Sequence, residues 1–140
     1  MAIKNYTTSV DTFKSIGEIQ GELARHGAKQ IMVDYENGKP TAISFAMVGA
    51  FGPCAFTLPA AVEGTRRVFQ RQKVKANDEQ AERTAWRNVR DWIFAQMALI
   101  ESCDVPVTQV FLPYMTNREG KTLYDIYKSG QLLLSDGGRE

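Results

Sequence analysis

Five cations fall within ten residues of this chain, Arg66, Arg67, Arg71, Lys73 and Lys75, with no acid among them and with Phe69 and Gln70 interleaved. Long cationic side chains at this density can neutralise successive phosphates of a nucleic-acid backbone, and an aromatic ring among them offers a stacking surface to an unpaired base. Arg83, Arg87 and Arg90 follow at i, i+4 and i+7, the spacing of one helix face. From Gly64 to Arg90 the chain holds eight of its 17 basic residues and three of its 16 acids, so this stretch carries +5 and the remainder −4. Positive charge concentrated on one side of a nearly neutral protein focuses a potential that attracts polyanions. A nucleic-acid surface built from Arg66, Arg67, Phe69, Arg71, Lys73, Lys75, Arg83, Arg87 and Arg90 is the expectation. Its competitor is an ordinary solvated helix face, because Glu79 precedes Arg83 by four and Asp91 follows Arg87 by four, pairs worth only ~0.2–0.5 kcal/mol each. No neighbouring acid neutralises the Arg66 to Lys75 half, which is the stronger part.

Catalytic chemistry finds little material. His26 is the single histidine, so paired imidazoles and histidine-based metal clusters are ruled out within one chain, and it reads as a helix C-terminal residue whose cationic form suits the dipole. Carboxylates are scattered without the spacing a magnesium nuclease needs, and Asp34 and Glu36 flank Tyr35 ahead of a turn, where they are most simply exposed. Neither GxxxxGK[ST] nor GxGxxG occurs. The expectation is a non-enzymatic protein with no cofactor and no metal. Trp86, Trp92, Phe94 and Met97 stand at helical spacing and read mainly as core, with Trp92 and Phe94 as a subunit or partner interface should they be exposed.

The elements that must carry these residues alternate in period. Ser15 with Glu18 predicts a capping box for a first helix with an Ile16, Ile19, Leu23 stripe, and Gly27 predicts its left-handed stop. Ile31, Val33 and Tyr35 then share one strand face, Asn37-Gly38 marks a tight hairpin, and Pro40 opens the next strand. Ile43, Phe45 and Met47 alternate in that strand, as do Cys54, Phe56 and Leu58 in the third, after a turn over Gly49 to Pro53. Pro59 suits the first turn of a helix reaching about Gln72, and Asn77 or Asp78 caps a longer one running to about Ser102 on Ala85, Val89, Ile93, Met97 and Ile100. Pro106 and Pro113 make Val105 to Met115 a docked extended segment, and Thr122 with Asp125 opens a short helix, Leu123 to Lys128, closed by Gly130. The fold class is α+β: a three-stranded antiparallel meander packed against a long amphipathic helix and shorter helices, to which Tyr6 to Val10 would add a fourth, N-terminal strand. Residues 1–130 form one domain, and 131–140 a loosely held tail.

With 140 residues, 44% hydrophobic and 24% charged, the chain is large enough for one domain with a real core. Cys54 and Cys103 belong to no CxxC pair and read as small core thiols in a reducing compartment. No run approaches the ~18 apolar residues of a membrane span, and the first ten residues carry a lysine and threonines where a signal peptide has an apolar run. A cytoplasmic protein without membrane contact is expected.

The block Ala85-Trp86-Arg87, Asp91-Trp92, Ala95-Gln96, Ala98-Leu99-Ile100-Glu101, followed by Val110-Phe111-Leu112-Pro113-Tyr114 and Gly120-Lys121-Thr122-Leu123-Tyr124, resembles a group of small uncharacterised proteins of tailed phages and prophages. The resemblance covers roughly the C-terminal half, more faintly Gly17 to Phe45, and implies a site of action in the cytoplasm of an infected bacterium. It brings no activity and no functional residues. Helix, three antiparallel strands and helix is also the element order of double-stranded-RNA-binding domains, and phage single-strand annealing proteins pack helices across a meander. Ala60-Ala61-Val62-Glu63 stands where the RNA-binding module has its lysine run. The leading expectation is an accessory protein that binds DNA or RNA in phage replication or recombination. The alternative is a protein-binding inhibitor of a host defence or nucleic-acid enzyme, and a third reading is a self-associating homo-oligomer.

Overall fold

A computed structural model describes residues 1–131; the expected tail, residues 131–140, lies outside the described residues from position 132. Three strands and a later, short fourth make one antiparallel sheet in the order β1-β2-β3-β4: β1 is Gln30–Glu36, β2 Lys39–Gly49, β3 Gly52–Pro59 and β4 Met115–Thr116. The α+β class follows from this sheet together with the helices α1 Thr12–Arg25, α2 Val62–Arg71, α3 Asp78–Cys103, α4 Val107–Val110 and α5 Leu123–Lys128.

Asn37 and Gly38 take φ 53° and 78°, the pair of positive values that matches a two-residue turn to strand twist. Val33 faces Ile43 across the first hairpin, and Phe45 faces Phe56 across the second. A register shift between Asp34 and Tyr35 passes over Thr41, and Tyr35, expected inward with Ile31 and Val33, stands exposed beyond it. Ile43, Phe45, Phe56 and Leu58 form the buried sheet face; Ile16, Ile19 and Leu23 of α1 and Trp86, Ile93 and Met97 of α3 close over it. Phe45 and Phe56 stack at 4.9 Å between centroids, and Phe111 meets Phe45 edge-on at 5.5 Å, so the segment after α3 completes the core.

Five local expectations are corrected. Asp11, accepting from the Phe13 N–H, caps α1, while Ser15 is buried within the helix and Glu18 turns to α3; a helix beginning at Thr12 satisfies its first donors one turn before the Ser15-Glu18 box. Tyr6 to Val10 is no strand. Two of its carbonyls and the one before it are taken by α3 side chains: Gln80 Nε2 donates to Tyr6 O at 3.0 Å and Thr8 O at 2.9 Å, and Thr84 Oγ1 donates to the preceding Asn5 O at 3.0 Å. Backbone groups satisfied this way need no sheet neighbour. Pro59 ends β3, and α2 starts at Val62 after the turn at Ala60 and Ala61. Val105 to Met115 is not extended throughout: Pro106 precedes α4 and Pro113 sits in the 3-10 turn Leu112–Tyr114, at helix starts where a missing N–H costs nothing, and only at Met115 does the chain enter β4, which pairs with Ala55 and Phe56. Cys103 lies exposed on the last turn of α3, and only Cys54 is half-buried.

Asn77 caps α3 through the Gln80 N–H, and the helix runs for 26 residues, ~39 Å, to Asp104 at φ 53°. Thr122 and Asp125 form the expected capping box of α5. His26 caps α1 and bridges helices, with Nδ1 3.0 Å from Glu22 O and Nε2 2.8 Å from Glu101 Oε1. Among the described residues no helix is long and apolar enough to cross a membrane.

Candidate nucleic-acid interface

Ten residues of α2 carry one buried row, Thr65 and Phe69 at i, i+4, flanked by half-buried Val62, Gly64, Arg66 and Val68, so that Glu63, Arg67, Gln70 and Arg71 are left exposed. Phe69 is only 2% exposed. The ring expected to stack on a base is therefore part of the hydrophobic attachment of α2, and its place in the binding surface is withdrawn. Arg66 lies at the flank: it pairs with Glu63 on its own helix, and its Nε stands 2.9 Å from Asp78 Oδ1 at the start of α3. Its charge is used to join two helices.

The outer face presents Arg67 and Arg71, and the loop after it presents Lys73 and Lys75; all four are exposed and none pairs with an acid among the described residues. The helix ends in a paired closure, Val74 N–H to Phe69 O at 2.8 Å and Lys73 N–H to Gln70 O at 3.2 Å, with Lys73 itself at φ 58°. This is the C-terminal motif whose left-handed position glycine normally fills. A lysine there accepts backbone strain of about 1 kcal/mol and sends an ammonium off the helix end.

The three arginines expected to continue the surface along α3 separate. Arg83 bonds Gln80 Oε1 through Nε at 3.1 Å and lies 3.9 Å from Glu79, the anticipated i, i+4 partner. Arg87 and Arg90 converge instead on Glu18 of α1, with guanidinium nitrogens at 3.1 and 2.7 Å from Oε1, and Arg90 also reaches Asp91 at 3.1 Å. They lie in the α1–α3 seam and are neutralised there; Asp91 pairs with Arg90 and Lys4 rather than with Arg87. Burial opposes ionisation of Glu18, but the Arg90 bond and the charges of Arg87 and Arg90 outweigh it and hold the carboxyl below its ordinary range. Asp91 is lowered in the same way: burial raises it, and bonds from Asn5, Arg90 and Lys4 overcome that.

Trp92 packs edge-on against Phe111 at 5.4 Å and Tyr114 at 5.5 Å, and the Arg90 guanidinium covers the Phe94 ring at 3.7 Å. Both rings expected at a partner interface are occupied within the chain. Among the described residues no cluster of three or more His, Cys, Asp or Glu could hold a metal ion.

Two of the four uncompensated cations, Lys73 and Lys75, open onto a groove of about 590 Å³ between the loop after α2, the start of α3 and the N-terminal segment, lined also by Arg83, Gln80, Asn77 and Tyr6, whereas Arg67 and Arg71 do not line it. The size is that of a small-ligand cleft. Tyr6 lines this groove and is absent from the sequence-derived candidates because its segment reads as a strand. The missing signal was legible on α3: Gln80, Thr84, Asn88 and Asp91 make a polar stripe along one side of the helix, and all four bind the N-terminal segment, Asn5 Nδ2 donating to Asn88 at 2.8 Å and to Asp91 at 2.9 Å. No protein-family model, curated protein or solved structure matches this chain.

Proposed function

We propose that this chain binds nucleic acid through the outer face of α2 and the loop that follows it, as a non-enzymatic accessory protein in phage replication or recombination. The observation that carries the reading is the sorting of charge: Arg66, Arg83, Arg87 and Arg90 have acids or amides beside them, while Arg67, Arg71, Lys73 and Lys75 stand exposed on α2 and the loop after it with no such partner among the described residues. Four unneutralised cations on one edge retain a field that phosphates can satisfy. The resemblance of the C-terminal half to phage and prophage proteins supports the setting, the cytoplasm of an infected bacterium. With Phe69 enclosed, the α2 face reads phosphates, and little preference for base sequence is expected of it.

Fluorescence anisotropy of labelled single-stranded and duplex DNA and RNA, titrated from ~50 to ~200 mM salt, tests this directly. Four phosphate contacts give a slope of log affinity against log salt of about −3 to −4. Absence of binding at the lowest salt would remove the reading.

Lys73 supplies a second expectation, because its backbone favours glycine while its charge favours the ligand. Lys73→Gly is expected to raise stability by about 0.5–1 kcal/mol in urea unfolding, through relief of left-handed strain, and to weaken nucleic-acid binding several-fold in the same preparation. Stability and affinity that both fall would assign Lys73 a structural role only.

A further inference from the structure

We infer that Tyr6 is the stacking platform for an unpaired base, which makes the groove between the N-terminal segment and the start of α3 a site for single-stranded nucleic acid. The inference rests on the phosphate-binding reading and adds the ligand's strand form.

Tyr6 is 41% exposed and belongs to no aromatic pair or cation–π contact among the described residues, so its ring is uncommitted. It lines the groove that Lys73, Lys75 and Arg83 also line. An aromatic face beside cations is the arrangement that takes single strands: the cations follow the backbone and the ring accepts a base, whose π-face is available only when it is unpaired. In a duplex the bases are stacked on one another and cannot reach such a ring without unstacking.

The segment that bears Tyr6 is held in place. Asn5 at φ 66° turns the chain, its side chain is fixed by Asn88 and Asp91, and its carbonyl accepts from Thr84 Oγ1. Gln80 Nε2 then clamps the carbonyls of Tyr6 and Thr8, while its Oε1 accepts from Arg83 Nε at 3.1 Å. One glutamine thus ties the ring's backbone to a cation of the same groove. A ring whose backbone is fixed before binding loses less entropy on stacking than one on a free terminus. Gln80 is a positioning residue, and Tyr6 the residue that would touch the ligand.

The test is a cycle between ring and base. Anisotropy is measured for a labelled oligothymidylate of about ten nucleotides, the same oligonucleotide with abasic sites, and a duplex of equal length, against the wild type, Tyr6→Ala and Tyr6→Phe. Stacking predicts that Tyr6→Ala lowers affinity for the oligothymidylate by about 5- to 150-fold, with the duplex changed by less than about two-fold and Tyr6→Phe near the wild type. The abasic strand should bind the wild type as weakly as the complete strand binds Tyr6→Ala. Unchanged affinity of Tyr6→Ala for the oligothymidylate, or an equal loss for strand and duplex, would overturn the stacking role while leaving phosphate binding standing. No binding of any form at low salt would overturn both.

Discussion

Reversing charge at Arg67 and Arg71 together, in the Arg67→Glu/Arg71→Glu variant, is expected to lower affinity for nucleic acid by at least about 25- to 60-fold at ~0.1 M salt, since each phosphate contact contributes a salt exponent of ~0.7–0.9. Loss of two contacts flattens the log–log salt slope by about 1.4 to 1.8, and repulsion from the new carboxylates adds to the loss of affinity. Folding is expected to survive, because both side chains are exposed on the outer face of α2 and neither forms an ion pair among the described residues. Circular dichroism and the urea midpoint check the fold, and salt titration by anisotropy checks the binding. An unchanged slope in a folded double variant would take the α2 edge out of the account. The two residues are one turn apart and share a field, so their effects are measured together and are not treated as a sum of singles.

Trp86→Ala is expected to cost about 3–5 kcal/mol of stability, the largest effect of any single substitution considered. Trp86 is completely buried where α3 crosses the sheet, and its Nε1 donates to Pro40 O at 3.2 Å. Pro40 is the second residue of β2, so the bond ties the long helix to the strand next to the hairpin turn. Truncation removes an indole's worth of buried apolar surface, leaves a cavity and orphans the carbonyl. Natural domains are stable by only ~5–15 kcal/mol, so the variant would lose a large share of the total and its urea midpoint would drop with little change in slope. Trp86→Phe keeps much of the volume while losing the donor, and a smaller loss for it would separate packing from the hydrogen bond. A loss under about 1 kcal/mol for the alanine variant would show that the α3–sheet contact does not bear the core.

Much of the architecture was legible because its signals are local. Asn37-Gly38 specifies its hairpin through two positive φ values, Asn77 caps the long helix with its own side chain, and Thr122 with Asp125 closes a capping box within four residues. The inward alternation of Ile43, Phe45 and Met47 likewise depends only on strand period. The readings that changed had competing solutions of similar local merit. Asp11 offers a carboxylate cap one turn before Ser15, and the prolines at 106 and 113 are as well placed at helical starts as in extended chain. Tyr6 to Val10 has a strand's alternation, yet its backbone is satisfied by a polar stripe more than seventy residues away, on α3.

From sequence alone came the periods of helix and strand, the turn chemistry and the surplus of positive charge between Gly64 and Arg90, since all of these are properties of neighbouring residues. Which of those charges remain available was decided only by tertiary structure. Glu18 lies 69 residues from Arg87 and 72 from Arg90 in sequence, and the packing of α1 on α3 brings it within hydrogen-bond reach of both. Phe69 was withdrawn from the surface, and Tyr6 delivered to it, by the same kind of event. Charge pairing and burial are set by distances of a few ångströms between remote segments, and those distances exist only once the core has closed.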